Sequence, residues 1–93
     1  MIIVAGQLHV RPGARADFLA RSAAAMREAR GTPGCHDFVV AADPLEPERV
    51  NVFEAWTDRA ALEAFRGSGP GDDLSALIGR ATVAEYDVAV PDR

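Results

Sequence analysis

The chain has 93 residues, 48% of them hydrophobic, and a formal net charge of −4. This length indicates one small domain over residues 1–93. Such a domain buries only roughly two-thirds of the surface that its unfolded chain exposes, so apolar surface is left for a partner. The ten basic residues are scattered arginines, with no run of like charge, which argues against nucleic-acid binding through a basic stripe.

The cysteine content and the N-terminus limit the cellular context. A single cysteine, Cys35, leaves no internal disulfide framework. The first five residues are apolar, but the run is short, has no basic leader and is soon followed by His9 and Arg11. We therefore expect neither a signal peptide nor a membrane span, and take a cytoplasmic protein as the default.

The first half of the chain predicts a strand and then a helix. Apolar alternation predicts a strand over Ile2 to Val10, and Pro12-Gly13 ends it. Helical spacing predicts a helix over Ala14 to Arg30, which Gly31 ends. The expected core residues are Ile2, Val4, Leu8 and Val10 on the strand, and Phe18, Leu19, Ser22, Ala23, Met26 and Ala29 on the helix.

The middle of the chain predicts a hairpin. Strands are expected over Cys35 to Ala42 and over Arg49 to Trp56, joined by a six-residue turn with two prolines. Thr57 or Asp58 is then expected to cap a second helix.

The last third predicts that second helix and a fourth strand. Leu62 and Phe65 lie on one side of the helix, and the glycine-rich segment 67–71 ends it. A short helical turn is expected over Leu74 to Ile78, followed by a strand over Arg80 to Val90.

The order β-α-β-β-α-β predicts the ferredoxin-like α+β fold, an antiparallel sheet with both helices on one face. Both faces of the central hairpin are apolar, with Val50 and Val52 on one and Phe53 and Ala55 on the other. Two helices cover only one face. A second sheet is needed for the other, so we expect a homodimer.

The pair Glu54 and Trp56 is the most informative candidate site. Residues two apart on a strand share a face, so the carboxylate lies beside the only tryptophan. Two interpretations stay open: Trp56 packs the second helix onto the sheet while Glu54 pairs with an arginine, or both form the wall of a pocket. The further polar strand residues that would line such a small-molecule cavity are Gln7, His9, Asn51 and Tyr86.

Other chemistries find weaker support. Cys35, His36 and Asp37 are metal-ligand types, but on a regular strand His36 points away from the other two, so we expect no metal site. A thiol nucleophile lacks a histidine base on its own face, which favours Cys35 as a small apolar filler. The segment 67–71 follows a helix, whereas a phosphate loop follows a strand, so a connector or a lid is expected there.

Five short motifs, in this order and at these spacings, resemble the antibiotic biosynthesis monooxygenase family over nearly the whole chain. They are Arg11-Pro12-Gly13, Pro33-Gly34-Cys35, Asp43-Pro44, Glu54-x-Trp56 and Leu62-Glu63-Ala64-Phe65. The resemblance implies a homodimeric ferredoxin-like α/β barrel. Characterised members oxidise quinols, anthrones or similar phenolic aromatics with O₂, and use neither metal nor flavin.

The resemblance also implies site residues. The chemistry needs an aromatic wall and hydrogen-bond donors to a developing oxyanion. Trp56 matches the family's pocket tryptophan, and Asn51 is the candidate donor, so these two are the predicted catalytic residues. Some members place asparagine four residues before the tryptophan, where this chain has Val52, so Asn51 is expected to face the other way unless a bulge intervenes. The predicted substrate-binding residues are Gln7, His9, Phe38, Glu54, Phe65 and Tyr86.

The chain differs from the family pattern at positions that matter for haem degradation. Many members have a histidine in the second helix where this chain has Phe65, and haem-degrading relatives also need an asparagine on strand one, where Gly6 or Gln7 stands. Haem degradation is therefore disfavoured. We expect a cofactor-independent monooxygenase acting on a phenolic, quinol or anthrone-type aromatic. The alternative is a non-catalytic dimeric protein of the same fold that binds a small ligand or is structural.

Overall fold

A computed structural model describes residues 1–67 and 74–90 of the chain. The elements follow the expected order β-α-β-β-α-β. Their bounds are β1 Ile2–Val10, α1 Arg15–Arg30, β2 Cys35–Ala42, β3 Arg49–Trp56, α2 Arg59–Gly67 and β4 Ile78–Asp87, with a short 3₁₀ helix at Ser75–Leu77 before β4.

The four strands form one antiparallel sheet in the order β2-β3-β1-β4. The prediction of a ferredoxin-like α+β fold is confirmed. Ile2 lies opposite Trp56 on one side and opposite Asp87 on the other, which fixes the register of the three strands β3, β1 and β4. β2 and β4 are the edges of an open sheet, so the described chain closes no barrel by itself.

The ends of β4 differ from the prediction over residues 80–90. β4 begins at Ile78, because a bulge between His9 and Val10 lets Val10 pair with Ile78. It ends at Asp87, because β1 begins at Ile2 and offers no further strand residue to pair with. Beyond that point Val88 and Met1 still exchange hydrogen bonds between their backbone groups, at 2.9 and 3.1 Å.

The two helices differ in how they begin. Asp58 caps α2, as expected, because its Oδ1 accepts a hydrogen bond from the backbone N–H of Ala61 at 2.9 Å. α1 begins at Arg15, one residue later than predicted, and Ala14 before it provides no side-chain cap. Of the glycine-rich segment 67–71, only Gly67 is described, as the last residue of α2. The prediction of a connector or lid there lies outside the described residues.

β2 begins with a bulge, which changes the side of the sheet that its first residues face. Cys35 lies opposite Trp56 whereas Asp37 lies opposite Ala55, so the register shifts at His36. Cys35 and Asp37 therefore face opposite sides of the sheet, although regular alternation placed them on the same side. The exposed His36 ring instead lies 2.9 Å from the hydroxyl of Thr57.

The core lies between the helices and one face of the sheet, here called the covered face. One cluster surrounds Trp56, and a second surrounds Val50; both side chains are fully buried. The other buried core residues of the two clusters are Ile2, Val4, Ala29, Phe38 and Leu62 around Trp56, and Val10 and Phe18 around Val50.

The second face of the sheet, here called the open face, has no helix over it. The register places on it Ile3, Ala5, Val39, Ala41, Phe53, Ala55, Ala84 and Tyr86. Phe53 is 40% exposed and Tyr86 is 52% exposed, so large apolar side chains face outward as the sequence predicted. No helix within residues 1–67 and 74–90 is long and apolar enough to cross a membrane.

Candidate functional site

Glu54 and Trp56 form a hydrogen-bonded pair on the covered face. Strand β3 places both side chains there, opposite Val4 and Ile2 of β1. The indole Nε1 of Trp56 donates a hydrogen bond to Oε1 of Glu54 at 3.0 Å. The Trp56 side chain packs α2 onto the sheet, as the structural interpretation expected. The partner of Glu54 is the indole, however, and no arginine of the described chain forms an ion pair with this carboxylate.

Two phenylalanines complete the site, and we call Phe38, Glu54, Trp56 and Phe65 the tryptophan cluster. The Phe65 ring lies 5.3 Å from the Trp56 ring and 5.7 Å from the Phe38 ring, between ring centroids. Phe65 reaches this position because Leu62, one turn earlier in α2, is fully buried against the sheet. The aromatic contacts, of the tilted and edge-to-face kinds, hold α2 over the carboxylate.

The carboxyl group of Glu54 is half-buried beside three aromatic rings. Burial raises its pKa above the ordinary value, and the nearby carboxylate of Glu85 adds to this. The hydrogen bond from Trp56 and the positive charge of Arg66 act in the opposite direction but do not cancel the effect of burial. Glu54 is therefore a stronger base than an exposed glutamate.

Two arginines and a glutamate form a charged rim at the side of the tryptophan cluster. Glu85 of β4 lies opposite Val4, and Val4 lies opposite Glu54, so both carboxylates belong to one row across the sheet. Glu85 accepts hydrogen bonds from Arg59 at 2.7 Å and from Arg66 at 2.8 Å. These bonds lower the pKa of Glu85 and connect α2 to β4.

This charged rim was not predicted from the sequence. Arg59 and Arg66 are seven residues apart and so share one side of α2, which was a usable signal. Their common partner, Glu85, is 19 residues from Arg66 in sequence. It comes close only because β4 pairs with β1 in the folded sheet.

The eight predicted site residues separate into two groups. Phe38, Glu54, Trp56 and Phe65 meet on the covered face, whereas Gln7, His9, Asn51 and Tyr86 lie on the open face. One pocket within a single protomer cannot be lined by both groups. Their roles in catalysis and substrate binding remain predictions.

Asn51 belongs to a hydrogen-bond network at the β2–β3 turn. Its Nδ2 donates to Asp43 at 2.9 Å, and its Oδ1 accepts from Arg49 at 2.8 Å. Asp43 also accepts from the backbone N–H groups of Leu45 and Glu46. The hydrogen bond from Asn51, followed by those two amides, lowers the pKa of Asp43 to about 2. These hydrogen bonds tie the β2–β3 turn to β3, and they were not predicted from the sequence.

His9, Gln7 and Tyr86 have no contact with the tryptophan cluster across the sheet. The His9 ring lies 3.6 Å from a carboxylate oxygen of Glu46 and 3.3 Å from the guanidinium of Arg80. Gln7 lies between Asn51 and Thr82 in the register, and Tyr86 lies opposite Ile3.

A metal site and a reactive thiol were weighed from the sequence, and the described part of the chain can be compared with each. No three histidine, cysteine or acidic side chains there lie close enough together to hold a metal ion. Cys35 packs against the tryptophan cluster, and burial raises the pKa of its thiol, which keeps it protonated. No pocket is found within residues 1–67 and 74–90.

The fold and the tryptophan cluster define a small ferredoxin-like α+β protein with an aromatic site between helix and sheet. The family model for antibiotic biosynthesis monooxygenase matches residues 1–72, which include β1 to α2 and all four residues of the cluster. The chain belongs to this family.

Solved structures share this fold, and one curated sequence is similar to this chain. A proposed antibiotic biosynthesis monooxygenase from Deinococcus radiodurans superposes with a TM-score of 0.85 at 20% identity, over 100% of this chain and 97% of that chain. One from Chloroflexus aurantiacus gives 0.78 at 26% identity, over 99% and 95%. An uncharacterized Synechocystis protein is 36% identical over 62 residues, which are 67% of this chain but only 42% of that protein.

Proposed function

We propose that this protein is a cofactor-independent monooxygenase that oxidises a phenolic, quinol or anthrone-type aromatic with O₂ and works as a homodimer. The observation that carries the proposal is the tryptophan cluster. Trp56 stands in the family's Glu-x-Trp motif and is bonded to a half-buried carboxylate, with two phenylalanine rings beside it. An aromatic environment with few placed polar groups suits a planar aromatic substrate.

The substrate class follows from the chemistry of O₂. Triplet O₂ reacts slowly with closed-shell organic molecules unless an electron-rich partner supplies the electrons. The anion of a hydroquinone or anthrone is such a partner. In the overall reaction the substrate supplies four electrons, one oxygen atom enters the product and the other leaves as water. The protein's task is to bind the substrate, favour its anion and hold O₂ beside it.

The proposed homodimer is supported by the open face. Phe53 and Tyr86 are both large and substantially exposed on it. A second copy placed against this face by a two-fold axis would cover both side chains and add the missing second sheet. Gln7, His9 and Asn51 would then lie near the partner, at the interface rather than in the tryptophan cluster.

A second candidate is a non-catalytic dimeric protein that binds a small ligand or is structural. Two observations favour it: Trp56 is fully buried, and no pocket is found in the described part of the chain. In this case the tryptophan cluster is only the core contact between α2 and the sheet.

Oxygen consumption separates the two candidates. The purified protein is mixed with a panel of hydroquinones and anthrones, and O₂ uptake is followed with an electrode against heat-denatured protein. The proposed enzyme consumes O₂ catalytically with at least one member of the panel. Uptake at the rate of the denatured control with every member would favour the non-catalytic protein.

A further inference from the structure

We infer that Glu54 is the proton acceptor of the oxygenation: one carboxylate oxygen is held by the Trp56 indole, and the other takes the proton from the hydroxyl group of a phenolic substrate. This inference rests on the proposed function, and it names the residue that generates the reactive anion.

The two oxygens of Glu54 have different environments. Oε1 accepts the hydrogen bond from Trp56 Nε1 at 3.0 Å. Oε2 accepts no hydrogen bond from any described residue. No fully buried side-chain oxygen or nitrogen in the described part of the chain lacks a partner, so Oε2 keeps some contact with solvent. The carboxylate is thus oriented through one oxygen and available through the other, as a general base needs.

The charged groups around Glu54 leave it as the strongest candidate base on the covered face. Arg66 and Arg59 approach from α2, but both form their hydrogen bonds with Glu85 of β4. Glu85 is therefore a weak base, with a lowered pKa. Cys35 of β2 is half-buried, and burial raises the pKa of its thiol, so the thiol stays neutral. Burial also raises the pKa of Glu54 toward that of a phenol, which eases proton transfer.

The two histidines are placed elsewhere. His9 lies on the open face near Glu46 and Arg80. His36 lies in the exposed bulge and contacts Thr57. Neither imidazole reaches the tryptophan cluster. Histidine, the most frequent general base of enzymes, is therefore not available at this site.

The proton step balances as follows. The O–H bond of the substrate breaks, its electron pair stays on the phenolate oxygen, and the proton moves to Oε2 of Glu54. The phenolate then transfers electrons to O₂ as in the proposed function. The oxygen atom that leaves as water needs two protons. One is the proton held on Glu54, and the other is released when the C–H bond breaks at the carbon that receives the retained oxygen atom.

Replacement of Glu54 by glutamine tests the inference. In Glu54→Gln the amide oxygen still accepts the Trp56 hydrogen bond, whereas the proton acceptor is gone. With a hydroquinone that the wild type oxidises, we expect kcat to fall by about 100-fold or more, the lower range for loss of a general base, with a much smaller change in KM. The matched control is Glu63→Gln, which removes an exposed carboxylate on α2 and should leave both constants unchanged.

The pH profile distinguishes a base from a merely structural group. Wild-type kcat should fall at low pH with an apparent pKa above that of an ordinary glutamate. Fluorescence of Trp56, the only tryptophan, should titrate at the same pH in the wild type and lose this inflection in Glu54→Gln. The rate of Glu54→Gln should rise steadily at high pH, because the substrate ionises in solution and no longer needs the base.

The outcomes are separable. If Glu54→Gln keeps the wild-type kcat and pH profile, the inference is overturned while the proposed function stands. If the wild type oxidises no member of the panel, both are overturned. If Glu54→Gln does not fold, the wild-type curves decide: a shared inflection in kcat and fluorescence supports the inference, and its absence contradicts it.

Discussion

At the scale of single residues, the chain places carboxylates in two contrasting environments. Glu54 is half-buried among aromatic rings with one hydrogen bond, and its pKa is raised. Asp43 receives three hydrogen bonds, and its pKa is lowered to about 2. The raised pKa suits Glu54 to accept a proton, whereas the lowered pKa keeps Asp43 an anion that stabilises the fold.

Asp43→Ala should lower the melting temperature at neutral pH, because Asn51 and two backbone amides lose their acceptor. Since the folded-state pKa lies below the ordinary value of 3.8, this stabilisation is present above pH 3.8 and is lost as the pH falls through about 2. Thermal unfolding followed by circular dichroism at several pH values measures the difference, which should shrink as the pH falls from 3.8 through about 2.

The control for Asp43→Ala is Asp17→Ala, which removes only an exposed ion pair with Arg21 on α1. Such pairs contribute little, so its melting temperature should stay close to that of the wild type. A loss that is equal in the two variants, or one that persists unchanged at pH 2, would contradict the role given to Asp43.

At the scale of elements, the sequence predicted what depends on local periodicity. Alternation located β1, β2 and β3, and a helical stripe located the buried face of α1. Strand spacing also placed Glu54 and Trp56 on one side of the sheet, and helix spacing placed Leu62 and Phe65 on one side of α2. The two bulges, near His36 and between His9 and Val10, were not predictable, because they depend on the register between strands that are distant in sequence.

The candidate site was predictable only in part for the same reason. The pair Glu54 and Trp56 follows from two positions on one strand. The contact between Phe38 and Phe65, and the bridge from Glu85 to α2, depend on tertiary placement that no local pattern encodes. Asn51 was chosen by analogy with the family's asparagine, whereas the register places it on the opposite face from Trp56.

Gly6 lies where β1 and β4 approach too closely to admit a side chain. Its φ is +153°, and an added Cβ would clash with the carbonyl of Thr82 and approach Cα of Val83 at 2.8 Å, so β1 and β4 would have to separate. Gly6→Ala should therefore reduce the free energy of unfolding by about 2 to 4 kcal/mol, from backbone strain and overpacking together. Urea unfolding measures the loss.

Gly79→Ala is the matched control on β4. Its Cβ would meet only the carbonyl oxygen of His9, at 3.4 Å, which is an ordinary contact. Its free energy of unfolding should change by less than about 1 kcal/mol, as for most substitutions without a steric conflict. Equal effects at the two glycines would show that the close approach of β1 and β4 at Gly6 is not a constraint.

At the scale of the whole molecule, a single chain leaves the apolar open face of the sheet uncovered. Helices cover one face of the sheet, and apolar side chains remain on the other. The proposed homodimer resolves this, and we expect it to bury more than about 1,000 Å² in total, the usual lower limit for a specific interface.

Phe53→Asp should break the proposed homodimer, because it places a charge in the middle of the open face, where Phe53 is 40% exposed. Light scattering at micromolar concentration should give twice the monomer mass for the wild type and the monomer mass for the variant. Leu45→Asp is the control: Leu45 is 89% exposed at the β2–β3 turn, away from the open face, and its loss should leave the dimer intact. A monomeric wild type would contradict the proposed assembly.

The central claim is that the protein inserts oxygen without a cofactor, and isotope labelling tests it most directly. Protein treated exhaustively with EDTA and freed of coloured contaminants is incubated under ¹⁸O₂ with a hydroquinone or anthrone, and the product is analysed by mass spectrometry. A cofactor-independent monooxygenase should give one ¹⁸O atom per product molecule, at a rate equal to that of untreated protein. A product without ¹⁸O, or a rate that EDTA abolishes and added metal restores, would contradict it.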